Sequence, residues 1–351
     1  MRFGIAGAGV IGHIHAAAIT DLAPQAEVAY VADEIADRAR KLAADHGAAA
    51  VTSIAELLGR PDIGAVAICT PSGSHADLAV AALDAGKHVV VEKPLDVTLD
   101  AAARVAGAQR RSGRTVTVIS QHRFDPSSRV VHDSIQAGLL GQVTSGVASV
   151  AWWRGQDYYD SGGWRGTVAL DGGGAVMNQG IHTVDLLLWL LGDAVEVFGW
   201  TGCLAHARIE VEDTAVAAIR FATGALGTVH ATTSAYPGLT ARLQVHGTTG
   251  SAVIDNDRLA YFSAAPHDDS GRAGALIAEA GKLLAAEPEQ AAGADPAALS
   301  GAHVAQYRDF LDAVARGRPP GVTVADATRA LAVVHALYES ARSGRPAPVQ
   351  R

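Results

Sequence analysis

The run Gly7-Ala8-Gly9-Val10-Ile11-Gly12 is built to hold an anion against backbone N–H groups. It follows the apolar, strand-like Phe3–Ala6 and opens a helical stretch. Gly7 permits a tight turn, Gly9 lets the backbone approach a pyrophosphate, Gly12 allows close packing of helix on strand, and Val10 and Ile11 start the helix whose free N–H groups face the phosphates. A second strand-like run, Val28–Ala32, ends at Asp33, at about the 20-residue spacing expected of a ribose-diol reader. An ionised carboxylate accepts from the ribose hydroxyls and repels a 2′-phosphate, so Asp33 favours NAD over NADP, while Arg38 is the nearby cation that leaves NADP open. The bland alternative is a tight turn in an unrelated α/β protein with Asp33 as a helix cap. Strand, spacing and helix all agree with the dinucleotide.

Two further groups suit proton transfer. Lys93, in Glu92-Lys93-Pro94, leaves the sheet where a strand ends, and burial beside a cationic nicotinamide would lower its proton affinity toward that of a hydroxyl's acceptor at neutral pH. The alternative for Lys93 is a surface pair with Glu92. If Ala175–Leu191 is one α-helix, Asn178, His182 and Asp185 fall at i, i+4 and i+7 on one face, opposite Ile181, Val184, Leu187, Leu188 and Leu191. They then either meet a ligand or satisfy one another inside the fold. By contrast, His13 and His15 have no acidic or cysteine partner nearby in sequence, and no metal site is expected.

A third group is aromatic. Trp152-Trp153-Arg154, Tyr158-Tyr159 and Trp164-Arg165 crowd one stretch of a chain that is only 5% aromatic. Such rings stack on the C–H faces of sugars, and the Arg and Tyr donors reach hydroxyl or carboxylate groups. Core packing accounts for one of Trp152 and Trp153, because adjacent strand residues point to opposite faces.

The elements that must position these residues fall into two patterns. Residues 2–120 alternate strands (Phe3–Ala6, Val28–Ala32, Ala65–Cys69, His88–Glu92, Thr115–Ser120) with amphipathic helices. That predicts a doubly wound parallel sheet with ligands at the carboxyl ends of its strands, the Rossmann arrangement. Thr70, Pro71, His75, Glu92 and Gln121 sit at those ends and join the expected cofactor contacts. After Asp125-Pro126, one helix is followed by strands at Gln142–Arg154, Ala194–Cys203, Asp213–Phe221, Ala225–Thr233, Arg242–His246 and Ser251–Phe262, which predicts an α+β domain with a large, mostly antiparallel open sheet. The expected domains are 1–122 and 123–351. Residues 263–300 read as an exposed excursion with a short helix near Ala275–Ala286, and helices at His303–Ala315 and Ala325–Ser343, free to fold back on the first domain, close the chain.

Composition excludes several functions. A net charge of −8 argues against a nucleic-acid partner, which needs Lys and Arg for phosphates. The longest apolar runs are too short for a bilayer, and the start of the chain reads as a strand rather than a leader, so a cytoplasmic location and no membrane partner are expected. Cys69 and Cys203 stand alone in apolar segments and suggest neither a disulfide nor a thiolate metal site.

Cys69-Thr70-Pro71-Ser72-Gly73-Ser74-His75, Glu92-Lys93-Pro94, and Gly172-Gly173-Gly174 leading to His182 and Asp185 together resemble the glucose-fructose oxidoreductase, inositol dehydrogenase and MocA (Gfo/Idh/MocA) family. The resemblance runs from Met1 to Ser343 and is poorest over 263–300. It implies a Rossmann domain followed by a domain whose open sheet forms subunit interfaces, hence a homodimer or homotetramer. It also implies that Lys93 lies at the nicotinamide, that His182 is an acid–base group, and that Trp164, Arg165 and Tyr307 approach the cofactor. Many members carry Asp four residues before the histidine. Asn178 stands there here, as in one branch of the family, and an amide orients an imidazole without stabilising its charge. More of the proton transfer then falls to Lys93.

The function expected is hydride transfer between NAD and a secondary alcohol of a sugar, inositol or sugar derivative. Lys93, His182 and Asn178 serve catalysis, and Lys93, Arg154, Tyr158, Trp164, Asn178, His182 and Asp185 bind substrate. One rival is NAD-assisted glycoside cleavage within the same family, distinguished by cleavage without net NADH. The other is a non-catalytic NAD- or sugar-binding regulator, against which Lys93 and His182 both count.

Overall fold

The computed structural model describes residues 1–265, 271–286 and 300–350. They form two compact units, one from Met1–Gln121 with Gln290–Thr328, the other from His122–Glu289 with Arg329–Arg351. The chain thus visits each unit twice, the helix Ser300–Arg316 grouping with the first.

The first unit holds a parallel sheet of β1 (Arg2–Ala6), β2 (Glu27–Ala32), β3 (Ala49–Val51), β4 (Ala65–Ile68), β5 (His88–Val91) and β6 (Val116–Val118) in the order β3-β2-β1-β4-β5-β6. The central strands read as continuous apolar runs because they are buried on both sides, β4 along its whole length. β3 escaped the sequence reading: its three residues, Ala-Ala-Val, carry too little pattern. The core joins Phe3, Ile5, Val31 and Ile19 to Tyr307 and Phe310 of the helix Ser300–Arg316, with the rings of Phe3 and Tyr307 edge-on at 5.5 Å.

The second unit is an eight-stranded sheet of β7 (Val143–Ala151), β8 (Ala194–Gly202), β9 (Thr214–Phe221), β10 (Leu226–Thr232), β11 (Ala241–Gly247), β12 (Gly250–Asp255), β13 (Arg258–Ala264) and β14 (Ala347–Pro348). Its order is β13-β12-β11-β7-β10-β9-β8-β14. Pairing is antiparallel apart from β7 with β10, among the described residues. The run Ser251–Phe262, expected as one strand, is a hairpin. Asn256 and Asp257 take φ of 48° and 63°, the left-handed pair that a two-residue turn between twisted strands demands. The helix Ile181–Leu191 covers one face of the sheet at β7 and β11, burying Val184, Leu187 and Leu191. β9 alternates buried and outward residues, and on its outward side Val216 stands opposite Trp200, both exposed.

The short helix expected near Ala275–Ala286 spans Gly271–Ala285 and packs on β13 and on the helix Pro126–Gln136. The rest of the excursion lies partly outside the described residues. No helix among them is long and apolar enough to cross a membrane.

Candidate functional site

In the first unit the glycine turn has the shape its sequence requires. Gly7 has φ +101° and donates its N–H to Ala32 O at 2.8 Å, and a Cβ there would lie 2.5 Å from the carbonyl oxygen of Cys69. A Cβ on Gly12 would come within 2.2 Å of Gly7 O, so the helix Val10–Thr20 seats against the turn only without one. In front of Gly9 there is open space, with no atom within 4 Å of its would-be Cβ. A pyrophosphate therefore fits over Gly9 at the helix start.

Asp33, just past β2, is half-buried and accepts from Ala8 N at 2.7 Å and Ile35 N at 2.8 Å. Each oxygen keeps a free acceptor direction for a ribose hydroxyl, and the same carboxylate braces the glycine turn. Val10 is exposed, Ile11 half-buried, and Arg38 points to solvent from the helix Ala36–Asp45. These residues fit a dinucleotide.

At the end of β5, Lys93 is half-buried and Glu92 buried. Glu92 Oε2 accepts from the Lys93 amide at 3.0 Å, and Oε1 lies 2.8 Å from His15 Nε2, whose Nδ1 is 2.6 Å from the Tyr307 hydroxyl. Burial pushes the Glu92 carboxyl up, but hydrogen bonds and charge from His15 and His303 prevail and hold it well below the ordinary range. This buried chain ties the helix after the glycine turn to the peptide that carries Lys93.

Tyr307 is only 1% exposed, with its hydroxyl turned to His15, and Glu92 is 5% exposed with its carboxylate on the same histidine. His75, expected at the nucleotide, is likewise interior. Its ring nitrogens meet Pro94 O at 2.7 Å and Thr70 O at 2.8 Å, joining the loops after β4 and β5. Ser74 Oγ donates to Thr70 Oγ1 and Pro71 O, and Gln121, past β6, is buried.

In the second unit, the single helix expected over Ala175–Leu191 is two elements. Ala175–Gly180 is a π-helical turn, and the α-helix begins at Ile181. Such turns occur frequently at functional sites. Glu212 caps the start of this turn: its carboxylate accepts from Gly174 N at 3.0 Å and Val176 N at 2.9 Å, and its carbonyl from Ala175 N at 3.0 Å. A Cβ on Gly174 would sit 1.7 Å from Glu212 O, which explains a glycine there.

Asn178 lies in the π-helical turn, its amide nitrogen donating to Asp171, while His182 is half-buried in the α-helix that follows. Asp185 is 5% exposed and bound two-pronged by Arg123, Nε to Oδ2 at 2.7 Å and Nη2 to Oδ1 at 2.6 Å.

The aromatic stretch forms a second cluster. Arg154 lies over the rings of Trp152 and Tyr158, each at 5.3 Å, and Arg165 over Tyr158 at 4.7 Å and Trp164 at 4.9 Å. Gln179, unnoticed as a site residue in the sequence, accepts from Arg154 at 3.1 Å and donates to the Tyr158 hydroxyl at 3.0 Å. Trp153 turns outward, edge-on to Tyr236.

His122 was also missed. Its ring stands edge-on to His182, centroids 5.2 Å apart, and its Nδ1 is 2.9 Å from Asp125 and 3.0 Å from Asp257. Burial pulls its pKa down, but the two aspartates outweigh that and raise it to about 10. The imidazolium contribution to stability is therefore fully present below the ordinary 6.5 and is lost as pH rises toward about 10. We expect its ring proton resonance to titrate near 10 in wild type and, in Asp257→Asn, about one or more units lower. A wild-type midpoint near 6.5 would refute the pairing.

Two His–carboxylate groupings thus converge among the described residues, His15/Glu92/His303 and His122/Asp125/Asp257. The 2.8–3.0 Å separations at His15–Glu92 and at His122 are those of hydrogen bonds.

Residues 1–120 match the oxidoreductase family with an NAD-binding Rossmann fold, and residues 128–253 match the GFO/IDH/MocA C-terminal domain. The uncharacterized oxidoreductase YrbE of Bacillus subtilis is 31% identical over 265 residues, 73% of this chain and 74% of the relative. The scyllo-inositol 2-dehydrogenase (NAD(+)) of the same organism is 27% identical over 356 residues, 99% and 95% of the two chains. Among solved structures, the WlbA dehydrogenase from Bordetella pertussis in complex with NADH and UDP-GlcNAcA superposes with a TM-score of 0.87 at 30% identity, covering 100% of this chain and 98% of that one. With its glycine turn, ribose carboxylate, strand-end lysine and open sheet in place, the chain belongs to the GFO/IDH/MocA family of NAD-binding oxidoreductases.

Proposed function

We propose that the chain is a dehydrogenase acting on a secondary alcohol of a sugar, inositol or sugar derivative, with Lys93 and His182 as its proton-handling groups. The observation that carries the reading is the glycine turn braced by Asp33 in the same unit as Lys93 at the end of β5. Relatives named as inositol and levoglucosan dehydrogenases act on this class of alcohol.

NAD, when bound, would supply the acceptor for the hydride of the carbinol carbon. The chain supplies orientation and proton management. Asp33 accepts the ribose hydroxyls and Gly9 leaves room for the phosphates. Lys93, once deprotonated, takes the proton of the substrate hydroxyl at Nζ. Asn178, one of whose amide N–H groups is given to Asp171, cannot ionise and acts only through hydrogen bonds. His182 takes or returns a proton at its ring nitrogen beside the cationic His122. Trp164 and Arg165, carried by the second unit, are assigned to the substrate and cofactor together.

The test is NADH absorbance across inositols, free aldoses, anhydrosugars and sugar acids, repeated with NADP. NADH formation from at least one class, with NADP poorer, is expected. NAD binding without reduction by any of them would reject the reading. Self-association into a dimer or tetramer is part of the proposal, supported by the uncovered sheet face at Trp200 and Val216. Light scattering that reports a monomer would remove it.

A further inference from the structure

Arg154 and Arg165 hold two full positive charges against opposite parts of one small cluster, sharing the ring of Tyr158 at 5.3 and 4.7 Å. Guanidinium groups do not deprotonate, so the repulsion between them persists at every physiological pH. Surface arginines of this chain relieve such charge with carboxylates: nearby Arg208 takes Asp160 at 2.6 Å. Arg154 and Arg165 have no carboxylate partner among the described residues. Arg154 donates to Trp153 O and Gln179 Oε1, and Arg165 to Ser161 Oγ, all uncharged acceptors.

Each guanidinium carries five N–H donors, so most are uncommitted, and the Nε of both is sealed from solvent without an acceptor. Sealed donors and an uncompensated pair of cations are costly in a folded protein unless something anionic completes them. Asp171, the neighbouring buried carboxylate, already accepts from the Gly166 amide and from Asn178. The cluster is wired to the candidate catalytic turn through Gln179, which bridges Arg154, the Tyr158 hydroxyl and, at 3.4 Å, Asn178 Oδ1.

From this geometry we propose that Arg154 and Arg165, propped by Tyr158, form an anion subsite, and that the alcohol oxidised here is carried by an anionic sugar bearing a carboxylate or phosphate. The inference rests on the dehydrogenase reading for its chemistry but not for its binding. The planar forks match either oxyanion two-pronged, and the flanking rings hold them in place before the ligand arrives. A neutral sugar would leave Arg154 unmet and would leave Arg165 to the cofactor alone.

Matched neutral and anionic sugars test it: glucose against glucuronate and glucose 6-phosphate, in the presence of NAD, with wild type and with Arg154→Gln and Arg165→Gln. In wild type the anionic sugar is expected to be favoured by about 10- to 100-fold in kcat/KM, mostly through KM, and each variant to erase most of that preference. Whichever of glucuronate and glucose 6-phosphate wins names the oxyanion. Turnover of neutral sugars with no gain from either charged group overturns the subsite and leaves the dehydrogenase reading intact.

If nothing is turned over, the dehydrogenase reading fails, and calorimetric titration of the same two anions into the NADH-loaded protein still decides the subsite. Binding that weakens at least tenfold in the variants supports it, and equal or undetectable binding in all three proteins overturns it. Should a variant fail to fold, the wild-type comparison of neutral with charged sugars decides alone.

Discussion

Lys93→Met is expected to lower turnover by about 100- to 10,000-fold while NAD binding, followed by fluorescence titration, stays within a few-fold of wild type. The side chain leaves the end of β5 half-buried, and its amide is fixed by Glu92, which is fixed in turn by His15. Methionine keeps length and apolar contacts but removes the proton acceptor. Near-normal turnover would remove Lys93 from the chemistry. If it falls while His182→Asn falls less, the lysine carries the larger share of proton transfer, as an amide at position 178 favours.

The largest stability effect should come from Asp185→Ala. It strips a buried, two-pronged partner from Arg123, which also lies over the Trp189 ring at 5.5 Å. Breaking such a pair on one side costs about 3–5 kcal/mol, because a buried charge loses its two-pronged counterion. Replacing both partners with apolar residues of like size, Arg123→Met with Asp185→Leu, should recover much of the loss. Denaturant melts of the single and double variants check this. A single variant as stable as wild type, or a double variant worse than the single, would contradict it.

What could be read in the sequence was what is local along the chain. The glycine turn, Asp33 and the strand-end position of Lys93 depend on residues within one strand–turn–helix unit, and each lies in the predicted setting. The apolar period over Ala175–Leu191 announced a helix but could not distinguish a wide turn from a normal one, and the carboxylate that caps its start, Glu212, is contributed from the approach to β9.

His15 looked isolated for the same reason. Its partners Glu92, His303 and Tyr307 are far away in sequence, and only the folded first unit gathers them. The Arg123 pairing of Asp185 was not legible, because a carboxylate on a helix looks the same whether it faces a ligand or an arginine from an earlier segment. The hairpin at Asn256-Asp257 carried a readable signal, two residues tolerant of positive φ, that the longer apolar run obscured.

The place of the helix Ser300–Arg316 in the first core bears on how the protein is made. When synthesis has passed Gln121, all six strands of the parallel sheet exist, yet Phe3 still lacks the rings of Tyr307 and Phe310 that cover it. A nascent dinucleotide half must therefore wait, with an apolar patch open, until β7 to β13 and the helix Ser300–Arg316 behind them have left the ribosome. A gene truncated after the first six strands should yield a sticky fragment rather than a small nucleotide binder.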